Sequence, residues 1–303
     1  MTKFFETIWF KTKWYHWLVI AVLLPFGLVW GAAMSLRRAL AVQKDYGLPV
    51  VSIGNLIVGG TGKTPFIIEL ASQFDGVFVI SRGYGRQSKG LIEVSRNGNV
   101  QASVNESGDE AMLIAKSLPN VSVVVSENRK AGIAYAKGKG AKVIFLDDGF
   151  NQVGIKKFDI ILEPSRIANY LPFPAGPFRE WWFYTKKANL VVKEDIDFHR
   201  YVTYENLKPN MILVTAIANP TRLDRFLPTG VIDKYYFDDH AYFDEEKLGL
   251  LLYKNNAASL LVTEKDAVKM DNFKLPISKI KLKLELQKSV ITKVNSYIKG
   301  YRA

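Results

Sequence analysis

Residues 48–74 read LPVVSIGNLIVGGTGKTPFIIELASQF, and the fold turns on them. Leu48 to Ile53 is apolar and β-branched and is ended by Gly54-Asn55, the pattern of a buried strand. From Pro65 to Phe74 the apolar residues Phe66, Ile67, Leu70 and Ala71 recur at helical spacing, with proline at the first turn, where its missing N–H costs nothing. Between them lies Gly59-Gly60-Thr61-Gly62-Lys63-Thr64. Strand, glycine-rich loop and helix in this order make a cradle for phosphate. Glycines let backbone amides turn inward, the helix amino terminus adds its positive end, Lys63 reaches terminal phosphates, and the Thr64 hydroxyl suits magnesium. The usual spacing would put a further glycine at position 57, where this chain has Ile57. The candidate ATP contacts are therefore Ile57, Val58, Gly59, Gly60, Thr61, Gly62, Lys63 and Thr64.

Outward from the loop the chain keeps alternating. Strands are expected at Val77 to Ile80, Val121 to Val125 and Lys142 to Leu146, and helices at Asp109 to Leu118 and Arg129 to Ala136. The third of these strands delivers Asp147-Asp148-Gly149-Phe150 at its carboxyl end, which is where a magnesium-binding carboxylate belongs beside a phosphate loop. The fold class expected is α/β, a P-loop NTPase-like parallel sheet domain followed by a second, smaller α/β domain. Strands at Asn189 to Val192, Met211 to Thr215 and Ser259 to Val262 belong to the latter. The breaker-rich run from Pro172 to Pro177 and the aromatic cluster Trp181-Trp182-Phe183-Tyr184 place the boundary near 183. The division expected is thus 1–38 as an amino-terminal membrane-anchor helix, 39–183 as the nucleotide-binding domain, and 184–303 as the smaller domain that closes the cleft.

Before the loop, Trp17 to Leu36 carries no charge and is long enough as a helix to cross a bilayer core of about 30 Å. Trp9, Phe10, Trp14, Tyr15 and Trp17 crowd its start, and Lys11, Lys13, Arg37 and Arg38 flank it, as interfacial anchoring requires. Pro25 and Gly27 leave a tilted or partly embedded helix as open as a straight span. A cleaved signal peptide fits poorly, because the apolar run exceeds the usual ~7–15 residues, while a buried helix of a soluble domain stays as the plainer alternative.

The 303 residues carry a formal charge of +12, no cysteine and three histidines. Disulfides, thiolate metal sites and cysteine nucleophiles are excluded, and a multi-histidine metal site is disfavoured, which points any metal toward oxygen ligands. The charge asks for an acidic partner, but no recognisable nucleic-acid motif accompanies it, and a membrane anchor explains it as well.

Several stretches together resemble one family, the tetraacyldisaccharide 4'-kinases of lipid A biosynthesis. These are Gly54-Asn55-Leu56 with the loop through Pro65, Ser81-Arg82-Gly83-Tyr84-Gly85, Gly108-Asp109-Glu110, Asp147 to Phe150, Leu171-Pro172 with Pro174 to Glu180, Asp239-His240, and Thr263 to Lys269. They occur in family order, and the displaced loop glycine is part of the family pattern. The resemblance implies transfer of the ATP γ-phosphoryl group to the 4'-hydroxyl of a tetraacylated glucosamine disaccharide 1-phosphate, giving lipid IVA at the cytoplasmic face of the inner membrane. It implies ATP and Mg2+ as cofactors, the lipid disaccharide and the membrane as partners, no nucleic acid, and no particular oligomer. It also implies Asp109 and His240 as the base pair, with Lys63 catalytic, and Thr64, Asp147, Asp148 and Glu180 on the magnesium side. Arg82, Tyr84, Arg129 and Arg179 are then candidates for holding phosphate or substrate, since guanidinium groups fork onto phosphate oxygens. Two departures from the pattern are Asn151-Gln152, where glutamine and histidine are usual, and Ala216 to Pro220, where glycines are. The competing reading is a membrane-attached P-loop ATPase acting as a switch or assembly factor, without a small-molecule acceptor.

Overall fold

The structure is a computed structural model that describes residues 3–10, 12–58, 62–164 and 167–301. Its elements run α1 (Lys3–Phe10), α2 (His16–Ala39), β1 (Val50–Gly54), α3 (Lys63–Ala71), β2 (Val77–Ser81), β3 (Ile92–Arg96), β4 (Asn99–Val100), α4 (Val104–Ser107), α5 (Asp109–Ser117), β5 (Ser122–Val125), α6 (Arg129–Gly138) and β6 (Val143–Asp147). There follow β7 (Phe158–Glu163), β8 (Leu190–Lys193), β9 (Phe198–Glu205), β10 (Met211–Thr215), β11 (Val231–Tyr236), α7 (Glu245–Lys254), β12 (Ser259–Thr263), α8 (Glu264–Ala267), β13 (Ile277–Leu286) and α9 (Lys288–Gly300).

Two compact units emerge, each stitched from separated segments. The first comprises residues 1–63, 142–198 and 287–303, and the second 64–141 and 199–286. These cuts differ from the linear ones at 38 and 183.

In the first unit four strands lie in the order β6-β1-β7-β8, all parallel. Strands β1 and β6 are buried at every position, which is why they read as unbroken apolar runs. Register pairs Ile53 with Asp147, so the strand that precedes the glycine-rich segment and the strand that delivers the aspartates end side by side. Helix α9 closes one side, with the Tyr297 hydroxyl donating to the Val50 carbonyl at 3.2 Å.

Helix α2 runs unbroken for 24 residues through Pro25. It buries only His16, Ile20, Gly27 and Gly31, while Leu18, Val22, Phe26 and Val29 stand exposed. A core helix of a soluble domain hides its apolar residues, so that alternative does not describe this one. Against its buried side pack α1 and the 171–181 segment, with Ile8, Trp9, Ile20 and Ala175 as the contact core.

The second unit holds β4-β3-β5-β2, in which β2 and β5 are parallel and β3 runs antiparallel to its neighbours, and a five-stranded sheet β11-β10-β12-β13-β9. Within the latter β10, β11, β12 and β13 pair in parallel. Leu248 and Leu252 of α7 bury against Ile212, Val214, Leu260 and Val262. The α/β class with parallel strands and an apolar amino-terminal helix is thus the one expected from the sequence.

Candidate active site

In the first unit, Lys63 opens α3 and its ammonium group donates to the Asn55 side-chain oxygen at 3.1 Å and lies 3.5 Å from Asp148. Arg179 donates to the other Asp148 oxygen at 2.6 Å. Burial alone would push the Asp148 carboxyl up, but Lys63 and Arg179 outweigh it and hold the group below the ordinary carboxylate range. Asp148 adopts φ 52, a left-handed conformation uncommon outside glycine, and it is the turn at 147–150 that imposes it. Asp147 is buried at the end of β6. Gly59, Gly60 and Thr61, expected around the phosphates, lie outside the described residues, while Ile57, Val58, Gly62 and Thr64 fall inside them.

Glu180, expected on the magnesium side, is 3% exposed and pairs with Arg38, whose Nε donates to Glu180 Oε2 at 2.9 Å and whose Nη2 lies 2.7 Å from the same oxygen. The Arg38 guanidinium lies over the rings of Phe150 at 4.6 Å and Tyr184 at 5.0 Å.

In the second unit, Asp109 begins α5 and is 4% exposed. His240 Nδ1 lies 3.0 and 2.9 Å from its two carboxylate oxygens. Two local constraints bring them together. Gly108 sits at φ 81, where a Cβ would come within 2.7 Å of the Tyr84 carbonyl oxygen, so only glycine lets the chain enter α5 here. His240 itself sits at φ 62, its N–H donating to the Ala216 carbonyl at 3.0 Å. Tyr84 is 65% exposed, with its ring 4.9 Å from the imidazole.

Two lysines complete this cluster. Lys265 Nζ lies 3.1 Å from Glu110, 3.4 Å from His240 Nε2 and 3.8 Å from Asp109. Lys269 Nζ donates to the Ala241 carbonyl at 2.9 Å and stands 3.1 Å from Asp266 and 3.9 Å from Asp109. Burial pulls Asp109 up, yet the His240 hydrogen bond and the Lys265 and Lys269 charges hold its carboxyl below the ordinary value. Lys265 is moved the other way, since Glu110, Asp109 and Asp239 outweigh the burial that would lower it. Sequence reasoning quoted the 263–269 stretch but gave these lysines no role; their i, i+4 spacing beside an acidic residue was the available signal.

The remaining expected contacts divide. Arg82 is exposed, whereas Arg129 is buried at the start of α6 and donates to the Ser126 carbonyl. Asn55 and Arg38 were not singled out as site residues, although Asn55 stands in the quoted motif.

A family model described as tetraacyldisaccharide-1-P 4'-kinase matches residues 19–299. A Helicobacter pylori protein named tetraacyldisaccharide 4'-kinase is 47% identical over 285 residues, covering 93% of this chain and 91% of its own. One from Aliarcobacter butzleri is 42% identical over 306 residues, covering 98% and 97%, and one from Campylobacter jejuni 39% over 299 residues, covering 98% and 96%. Among solved structures, LpxK from Aquifex aeolicus in complex with ATP superposes with a TM-score of 0.77 at 27% identity, over 92% of this chain and 99% of that one. A family model over residues 19–299 and relatives at 39–47% identity over most of the chain mean that the chain belongs to the tetraacyldisaccharide 4'-kinase family.

Proposed function

We propose that this protein transfers the γ-phosphoryl group of ATP to the 4'-hydroxyl of a tetraacylated glucosamine disaccharide 1-phosphate, giving lipid IVA at the cytoplasmic face of the inner membrane. The observation that carries the reading is the Asp109–His240 pair. A sugar hydroxyl must lose its proton as it attacks phosphorus, and a buried, ionised carboxylate hydrogen-bonded to an imidazole is built to receive it.

In this reading residues 57–64 wrap the phosphates, and Lys63 neutralises the terminal ones. Thr64, Asp147 and Asp148 are the residues that would hold magnesium. That cation keeps several waters and takes one or two carboxylates together with substrate phosphate, so a closed protein cage is not required. Asp148, held ionised by Lys63 and Arg179, is a carboxylate of the kind such a cation takes. When bound, magnesium offsets the negative charge on the β- and γ-phosphates. Lys63 and Arg179, which now pair with Asp148, are the cations a triphosphate would attract. Arg82 and Tyr84, both exposed, suit contact with phosphate or acceptor. Arg129 we read as bracing the Ser126 turn, and Glu180 as the partner of Arg38.

Helix α2, with its exposed apolar side and flanking arginines, is the membrane anchor. The assay that tests the whole reading supplies γ-labelled ATP with the lipid disaccharide. Label should move to the lipid, and ATP turnover should rise with added acceptor. Equal ATP hydrolysis with and without acceptor, with no labelled lipid, overturns it.

A further inference from the structure

We propose that the last turns of α2 position the turn that carries Asp148, with Arg38 as the positioning residue, so that the anchor helix is also a strut of the phosphoryl-transfer site; this rests on the kinase reading above. Four contacts tie the carboxyl half of α2 to the two segments that supply the Asp148–Arg179 ion pair. Trp30 Nε1 donates to the Arg179 carbonyl at 2.9 Å. Gly31 lies against the Trp181 indole so closely that a Cβ there would come within 2.7 Å of it. Arg37 Nη2 donates to the Asn151 carbonyl at 3.0 Å, just past the turn. Arg38 Nε donates to Glu180 Oε2 while the guanidinium face covers Phe150, the last residue of the turn.

Arg38 therefore sits between the segment bearing Asp148 and the segment bearing Arg179, and touches the next residue but one on the first side and the adjacent residue on the second. Such a bracket is needed because Asp148 holds a left-handed backbone conformation, which persists only where its surroundings fix it. Glu180, buried at 3% exposure, would be an unpaired charge without Arg38. Lysine keeps the charge but lacks the flat guanidinium that lies over Phe150 and Tyr184 while its Nε donates to Glu180. None of these residues reaches the acceptor in order to act; they act through Asp148.

The test compares the full chain with Arg38→Lys, Arg38→Met and Glu180→Gln variants on phosphatidylethanolamine/phosphatidylglycerol vesicles. For each, kcat, KM for ATP, magnesium half-saturation, the vesicle-bound fraction and the melting temperature are measured. Arg38→Met should lower kcat on the order of ten- to a hundredfold, the scale of a misplaced reacting group. Vesicle binding should stay near wild type, magnesium half-saturation should rise together with the fall in kcat because Asp148 is the carboxylate displaced, and Arg38→Lys should recover only part of the loss. Glu180→Gln, which keeps a hydrogen-bond acceptor for Arg38, should fall in between and stay folded. Full kcat in Arg38→Met overturns the proposal. So does a kcat that falls only in step with bound or folded protein, and so does a raised magnesium requirement in Glu180→Gln alone, which would make Glu180 a metal ligand. Wild type that labels no lipid in the same assay defeats the kinase reading instead, so the two failures are distinct.

Discussion

His240 and Asp109 are 131 positions apart in the chain, yet the imidazole Nδ1 of one lies 2.9 Å from a carboxylate oxygen of the other. An Nδ1–H that donates to the carboxylate fixes the ring's orientation and leaves Nε2 facing Lys265 and Asp239. Glycine at 108 and the left-handed backbone at 240 are what permit the approach.

Replacing Asp109 by alanine should therefore slow the chemical step far more than it weakens nucleotide binding. Positioned general bases contribute about 10²–10⁴-fold, so kcat should drop within that range while KM for ATP shifts little. Steady-state kinetics with saturating lipid acceptor measures both. A rise in KM with kcat preserved would move Asp109 out of the base role.

Asp109 also ties stability to pH. Its folded-state carboxyl lies below the ordinary value, so the stability it contributes is fully present above about pH 3.9, the unfolded value, and is lost as pH falls through the lower folded value. Melting temperatures of wild type and Asp109→Asn, followed from pH 7 downward, should differ by a constant amount and converge only at the acid end. Convergence already between pH 6 and 7 would place the linkage on another group.

Much of this architecture was legible because local chemistry wrote it. The strand expected at Met211–Thr215 is observed there, and the helix expected from Asp109 ends one residue early, at Ser117 before Leu118 and Pro119. Fully buried parallel strands such as β1 and β6 announce themselves as apolar runs. Strand β13 does not, since its lysines alternate with Ile280, Leu282 and Leu284 on a half-exposed face. The Asp109–His240 pair came only through family resemblance, since no local spacing joins the two residues. Arg38–Glu180, 142 positions apart, was not read at all, because an arginine at the end of an apolar helix already has an interfacial explanation. Compact units assembled from separated segments are likewise invisible to a linear division.

Lys63→Ala and Asp148→Ala should each abolish label transfer to lipid, for opposite reasons of charge. Without Lys63 the terminal phosphates lose a cation, and without Asp148 both Lys63 and Arg179 lose the carboxylate they share. Nucleotide titration separates them: Lys63→Ala should weaken ATP binding with or without magnesium, whereas Asp148→Ala should weaken chiefly the magnesium-dependent part. Loss of binding in Asp148→Ala without any added magnesium would contradict its assignment to the metal.

Asp266 offers the sharpest stability prediction. It is fully buried and accepts from the Thr215 hydroxyl at 2.6 Å, the Thr263 hydroxyl at 2.7 Å and the Ala216 N–H at 3.2 Å, with Lys269 at 3.1 Å. Thus it joins the end of β10 to the start of α8, and Ala216 in turn accepts from the His240 N–H. Asp266→Ala removes the anion from a buried pair and strands Lys269, which should cost about 3–5 kcal/mol by urea denaturation. Asn at this position keeps acceptor capacity for the hydroxyls and the amide and should cost less. Among the described residues Lys269 then keeps Asp109 at 3.9 Å as its anionic partner, and that carboxylate should be held still further below its ordinary value. The acid end of the stability profile in Asp266→Asn should accordingly retain an Asp109 contribution to lower pH than in wild type. An unchanged urea midpoint in Asp266→Ala would mean that the second unit does not depend on this network.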